Sequence, residues 1–291
     1  MELALDAARA MEMSMLKPLP DFVLVDAHVH VHPGFARDAF LDGALRNFQA
    51  AVADLELEGT CLGCLLLAEM GPARWFRRAR EGREGSGTWS FERTGEAESL
   101  VARRDSGEQL LVIAGRQIAT REGLEILALA GDLDVPDDLP FGEALLRTRA
   151  SGALPVLPWG FGKWWGRRGK LVEGALTRRG SAPLFLGDNG CRPEVGGEPR
   201  LFRQARDRGI AVLPGSDPLP FPSHAGRAGS YGFVLAVAEE GLGDERPAEA
   251  LRKRVRQLGD QPRVFGRRTP LPRFVRDQVD LRRKKRSEGT A

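Results

Sequence analysis

A chain of 291 residues with ordinary hydrophobic (42%) and charged (29%) fractions can bury a sizeable core, which excludes a disordered protein. No apolar run approaches the roughly 20 residues that span a bilayer, so membrane insertion is excluded, and Met1 to Leu16 lacks the basic start and apolar stretch of a secretory signal. The net charge of +3 hides an asymmetry: residues 252–291 hold 14 Lys and Arg against 4 Asp and Glu, leaving a mildly acidic body and a strongly basic C-terminal segment.

Three cysteines cannot form a disulfide framework, which agrees with a cytoplasmic address. Cys61 and Cys64 have a C-x-x-C spacing, but within an apolar strand an odd separation sends the two sulfurs to opposite faces, so they read as small core residues.

In chain order, residues 1–19 read as an amphipathic lead-in helix. Phe22 to Val25 is a continuous apolar run, as in a parallel strand covered on both faces. Directly after it come His28, His30 and His32, three of the four histidines, on alternate positions with Asp26. In an extended strand these four side chains share one face, and two imidazoles so spaced can reach one divalent ion.

Phe40 to Leu55 repeats its apolar residues at three and four, giving an amphipathic helix. Leu62 to Ala68 is a second strand with Glu69 at its end, and Pro72 opens a short helix. Thr88–Phe91 and Glu98–Val101 pair as a hairpin. Leu110 to Ala114 leads into Gly115-Arg116-Gln117, and Leu124 to Ala130 returns with no crossover helix between.

A helix over Gly142–Arg149 precedes the strand Leu154–Leu157, which runs into a loop with Trp159, Lys163, Trp164 and Trp165. A helix follows near Gly169–Arg179. Pro183–Leu186 is a strand ending at Asp188-Asn189, Arg200–Arg208 a helix, and Ile210–Leu213 a strand ending at Gly215-Ser216-Asp217. Phe233–Glu240 and Pro247–Leu258 read as helices.

Strands alternating with helices predict an α/β fold, a distorted TIM-like (β/α)7-8 barrel over residues 20–258, with a C-terminal helical extension and a basic, flexible tail over 259–291. Residues after Arg276 are then dispensable, because a charged tail without periodic apolars buries little. Sites in such barrels lie at the C-terminal strand ends, which here carry His28 and His30, Glu69, Gln117, Trp159 with Lys163, Asp188 with Asn189, and Asp217.

Asp26-Ala27-His28-Val29-His30 resembles the D-x-H-x-H opening shared by the amidohydrolase superfamily and the PHP (polymerase and histidinol phosphatase) phosphoesterases, both metal-dependent distorted β/α barrels. Leu111 to Thr120 followed by Gly123 to Ala130 looks like the PHP segment in which a Gly-x-Glu strand precedes another strand. Gly215-Ser216-Asp217 is similar to the late Asp of either family. Departures are Gln117 where PHP enzymes have a metal-bridging Glu, Trp159 where they have a His, and the lack of a later histidine pair.

The resemblance implies a pared-down centre: His28 and His30, with Asp217 and Glu69 or Asp188, holding one divalent ion per chain, Zn²⁺ or Mn²⁺. Asp217 or Asp188 would take a proton from the attacking water, and Lys163 would neutralise a phosphate or carboxylate on a small-molecule substrate. Gln117, Trp159, Asn189 and His224 complete the candidate substrate-binding set. The basic tail comes with no nucleic-acid recognition module, so neither a specific nucleic acid nor a membrane is an expected partner. A barrel that has lost its metal and serves as a binding protein is the rival to the hydrolase.

Overall fold

The computed structural model describes residues 20–85, 87–178, 180–237, 242 and 245–288. The lead-in helix expected over residues 1–19 lies outside them.

Three strands run parallel at the centre of the first sheet, β1 (Phe22–Val29), β2 (Cys61–Leu67) and β5 (Gln109–Ile113). The hairpin of β3 (Trp89–Arg93) and β4 (Ser99–Arg104) extends it on one side, while β11 (Tyr231–Ala236) and β12 (Arg263–Gly266) extend it antiparallel on the other. The second sheet pairs β8 (Leu154–Pro158), β9 (Phe185–Asn189) and β10 (Val212–Gly215) in parallel and adds β6 (Gly115–Ala119) and β7 (Glu125–Leu129) antiparallel.

The expected barrel is not formed. The strands fall into two mixed sheets, a seven-stranded one ordered β12-β11-β1-β2-β5-β4-β3 and a five-stranded one ordered β10-β9-β8-β7-β6, and neither closes on itself. Two features work against a uniform parallel ring: β7 runs antiparallel to β8, and the run from Phe233, expected as a helix, is strand β11 beside β1 up to Ala236. Residues 238–240 of that expected helix lie outside the described residues. Gly115 to Gln117, read as a strand end, begins a strand of its own.

The sheets nevertheless touch along two seams, and a glycine makes each approach possible. A Cβ on Gly215 would stand 2.3 Å from the His28 nitrogen, and one on Gly115 would stand 2.1 Å from the Leu67 carbonyl oxygen. The Asp217 N–H donates to His28 O at 2.8 Å across the first seam, and Gln117 N–H to Glu69 O at 2.9 Å across the second.

Alternation along β1 explains the layering. Val23 and Val25 face a core between the sheets with Leu66, Leu111, Leu129, Val156, Leu213 and Phe233. Leu24 faces the opposite way, into a second core under α1 (Arg37–Asp54) and α2 (Trp75–Arg80) with Phe40, Phe48 and Phe76. A third core lies under α3 (Phe141–Ala150), α4 (Gly166–Thr177) and α5 (Arg200–Arg206). Cys64 belongs to the first core and Cys61 packs against the second, so the sulfurs do take opposite faces.

Two more helices follow, α6 (Pro247–Arg256) and α7 (Leu271–Glu288). The segment expected as a solvated tail thus contains β12 and α7, and α7 buries Phe274 and Asp277. Among the described residues no helix is long and apolar enough to cross a membrane.

Candidate metal centre

The register of β1 against β2 shifts between Asp26 and Val29, and that irregularity divides the four polar residues expected on one face. Asp26 is fully buried and turns to the backbone. Its carboxylate accepts the N–H groups of Gly229 (2.7 Å), Ser216 (2.8 Å) and His28 (3.2 Å). Desolvation outweighs these bonds and pushes its carboxyl up to about 6. His32 lies beyond the strand, with Nε2 2.8 Å from the Pro218 carbonyl.

His28 and His30 remain together. Their Nε2 atoms are 2.9 Å apart, and Asp217 Oδ1 lies 3.7 Å from the first and 3.4 Å from the second. Both imidazoles are buried. Burial lowers His28 to about 4, against the opposing pull of Asp217. Burial also works to raise the Asp217 carboxyl, but His28 and His30, with Lys163 adding to them, hold it well below the usual carboxylate range. At neutral pH His28 is therefore a neutral imidazole and Asp217 a carboxylate, the forms that ligation requires of them.

The donor geometry fits a metal ion. The three atoms form a triangle with sides of 2.9, 3.4 and 3.7 Å, and the point equidistant from its corners lies about 2.0 Å from each, which is the bond length of Zn²⁺ to imidazole nitrogen and carboxylate oxygen.

Around the triangle, the buried side chain of Gln117 acts on His28 against the effect of burial. In the β6–β7 hairpin Gln117 is opposite Leu127 and Ala119 is opposite Glu125, which places Gln117 and Glu125 on one face. Glu125 pairs with Lys163, whose charge also acts on Asp217. Glu125 escaped the sequence reading; the available signal was a carboxylate inside the apolar run Leu124 to Ala130.

The other candidates do not join the triangle. Glu69 lies outside the group of His28, His30 and Asp217, and its Oε1 accepts the Phe76 N–H at 2.9 Å in the first turn of α2. Asp188 is no free base, because both its oxygens are engaged by Arg192 at 2.6 and 2.7 Å and the Tyr231 hydroxyl adds a bond of 2.9 Å. Asn189 donates to the Trp159 carbonyl at 2.7 Å, leaving its own Oδ1 buried without a partner. The Trp159 ring packs against the core under α3, α4 and α5. His224 is fully buried, its Nδ1 accepting the Leu219 N–H at 3.1 Å and its Nε2 lying 3.4 Å from Asp277.

The histidines give the metal-free protein a signed pH dependence. His28, His32 and His224 are each lowered to about 4, chiefly by burial. Between about 6.5 and 4 the unfolded chain binds their protons first, so stability falls as pH falls. Asp26, raised to about 6, works the other way, since the folded state takes that proton first. Three groups against one predict a melting temperature, measured in chelator, that drops steadily from pH 7 to pH 5; an unchanged one would mean that these rings are solvated.

No family model matches this chain, and no curated protein does. Among solved structures, PsfC from Pseudomonas syringae PB-5123 is similar over 91% of this chain and 99% of its own, at 14% identity and a TM-score of 0.49. The lesion-specific endonuclease PfuEndoQ from Pyrococcus furiosus is similar over 82% of this chain and 56% of its own, at 14% identity and a TM-score of 0.48.

Proposed function

We propose that the chain is a metal-dependent hydrolase acting on a small-molecule substrate, with one divalent ion held by His28, His30 and Asp217. The observation that carries this reading is the triangle of ligand atoms, whose size suits Zn²⁺, with Mn²⁺ the alternative. The chemistry such an ion supplies is a water activated near neutral pH and a polarised carbonyl or phosphoryl oxygen. Gln117, buried beside His28, belongs to the substrate-binding set. Glu125, a carboxylate outside the ligand triangle, holds Lys163 and adds its negative charge near His28. Lys163 offers its ammonium to an anionic group on the substrate, and this favours phosphoesters as the second reading within the same chemistry.

The test begins with elemental analysis of protein purified without chelator, followed by melting curves with and without chelator. A ligand at a hundred times its dissociation constant adds about 2.7 kcal/mol of stability, so chelation should lower the melting temperature by several degrees. His30→Ala should abolish that sensitivity. Turnover is then screened on phosphoesters and on esters, lactones and amides with Zn²⁺ or Mn²⁺, and phosphoester activity lost in Lys163→Ala would select the second reading. Protein with no metal and identical melting curves would overturn the hydrolase and leave a metal-free binding protein.

A further inference from the structure

Asp217 has a φ of +49°, a left-handed backbone that a residue other than glycine holds only where its surroundings enforce it. Residues 217–220 are held by five ties to the rest of the chain. The Asp217 N–H donates to His28 O at 2.8 Å, and Cys191 Sγ donates to Asp217 O at 3.1 Å. His32 Nε2 meets Pro218 O at 2.8 Å. Leu219 N–H donates to His224 Nδ1 at 3.1 Å, and Lys284 Nζ donates to Pro220 O at 3.2 Å.

Two of these five ties come from α7. Lys284 acts directly. Asp277 acts through His224: Nδ1 accepts the Leu219 N–H, and Nε2 at the other side of the ring lies 3.4 Å from Asp277 Oδ2, an electrostatic contact without hydrogen-bond geometry. Arg227, 3.9 Å from the same oxygen, ties it to Gly190 O and Thr269 Oγ1.

We propose that α7 is a positioning element for the metal ligand Asp217, with Asp277 and His224 holding the Leu219 peptide and Lys284 holding the Pro220 carbonyl so that the Asp217 carboxylate stays aimed at the two histidines. Asp277, His224 and Lys284 are positioning residues, since none of them belongs to the ligand triangle. The inference rests on the metal reading of His28, His30 and Asp217.

It is tested by the Zn²⁺ dissociation constant, measured by competition with a chromophoric chelator well below the melting temperature. Whole-length wild type is compared with Asp277→Asn, Lys284→Met and, as a control on the exposed side of α7, Val275→Ala. The two positioning variants should bind Zn²⁺ about tenfold more weakly, the scale on which supporting residues act on a metal site, while Val275→Ala binds like wild type. A lower melting temperature with unchanged Zn²⁺ affinity in both would overturn the inference and make α7 merely structural. Should Asp277→Asn fail to fold, Lys284→Met alone decides. Wild type that binds no Zn²⁺ would overturn the metal reading and this inference with it, whereas tight wild-type binding with unaltered variants overturns the inference alone.

Discussion

Asp26→Ala is expected to destabilise the protein by more than about 4 kcal/mol, read as a large fall in the urea midpoint at pH 7.5. The reason is the number of donors it leaves behind. Asp26 accepts three buried N–H groups, from His28, Ser216 and Gly229, and each one stranded without an acceptor costs about 1–3 kcal/mol. The carboxylate also joins segments far apart in sequence, since His28 belongs to β1, Ser216 follows β10 and Gly229 precedes β11. It is thus the staple across the seam at which His28 and Asp217 meet, and its loss should weaken Zn²⁺ binding along with the fold. Asp26→Asn keeps the shape and one acceptor oxygen and should recover part of the stability. A midpoint within about 1 kcal/mol of wild type for Asp26→Ala would show that solvent reaches those N–H groups.

Asp26 also shows where the sequence stops being legible. Period-two alternation put it on one face with three histidines, and that holds only for an unbroken ladder. The register shift between Asp26 and Val29 cannot be read from a run of Val, Ala and His, yet it is what turns Asp26 to the backbone and leaves His28 and His30 facing each other. The pair itself was legible because nearly all the histidines of the chain are concentrated there. Asp217 was legible as a carboxylate at a strand end, and it does complete the triangle.

Glu69 and Asp188 were selected by the same strand-end rule and went elsewhere, one to a helix N-terminus and one to a buried arginine. Position along a strand says that a carboxylate is at a strand end, not which neighbour will claim it. The fold shows a similar limit. Periodicity placed most strands and helices, but direction and closure depend on pairing. The apolar stretch from Phe233 suits a strand or a buried helix equally until its neighbour β1 is known.

Truncation after Arg276 is the second change with a large expected effect, and here the structure reverses the reading of a dispensable tail. Charge density alone suggested a solvated segment, since five of the last ten residues are Lys or Arg. The decisive residue is an acid just ahead of them, the first residue that the cut removes. Asp277 is buried, lies 3.4 Å from a fully buried His224 and 3.9 Å from Arg227, and removing it leaves that guanidinium without its counter-charge. Breaking a buried ion pair by deleting one partner costs about 3–5 kcal/mol, and the cut also removes Lys284 from Pro220. The shortened chain should therefore melt well below the whole protein. Asp277→Asn in the full-length chain should reproduce part of the drop. Equal melting temperatures for the whole chain and the chain ending at Arg276 would restore the solvated tail, and with it the view that the loop after Asp217 holds its shape without α7.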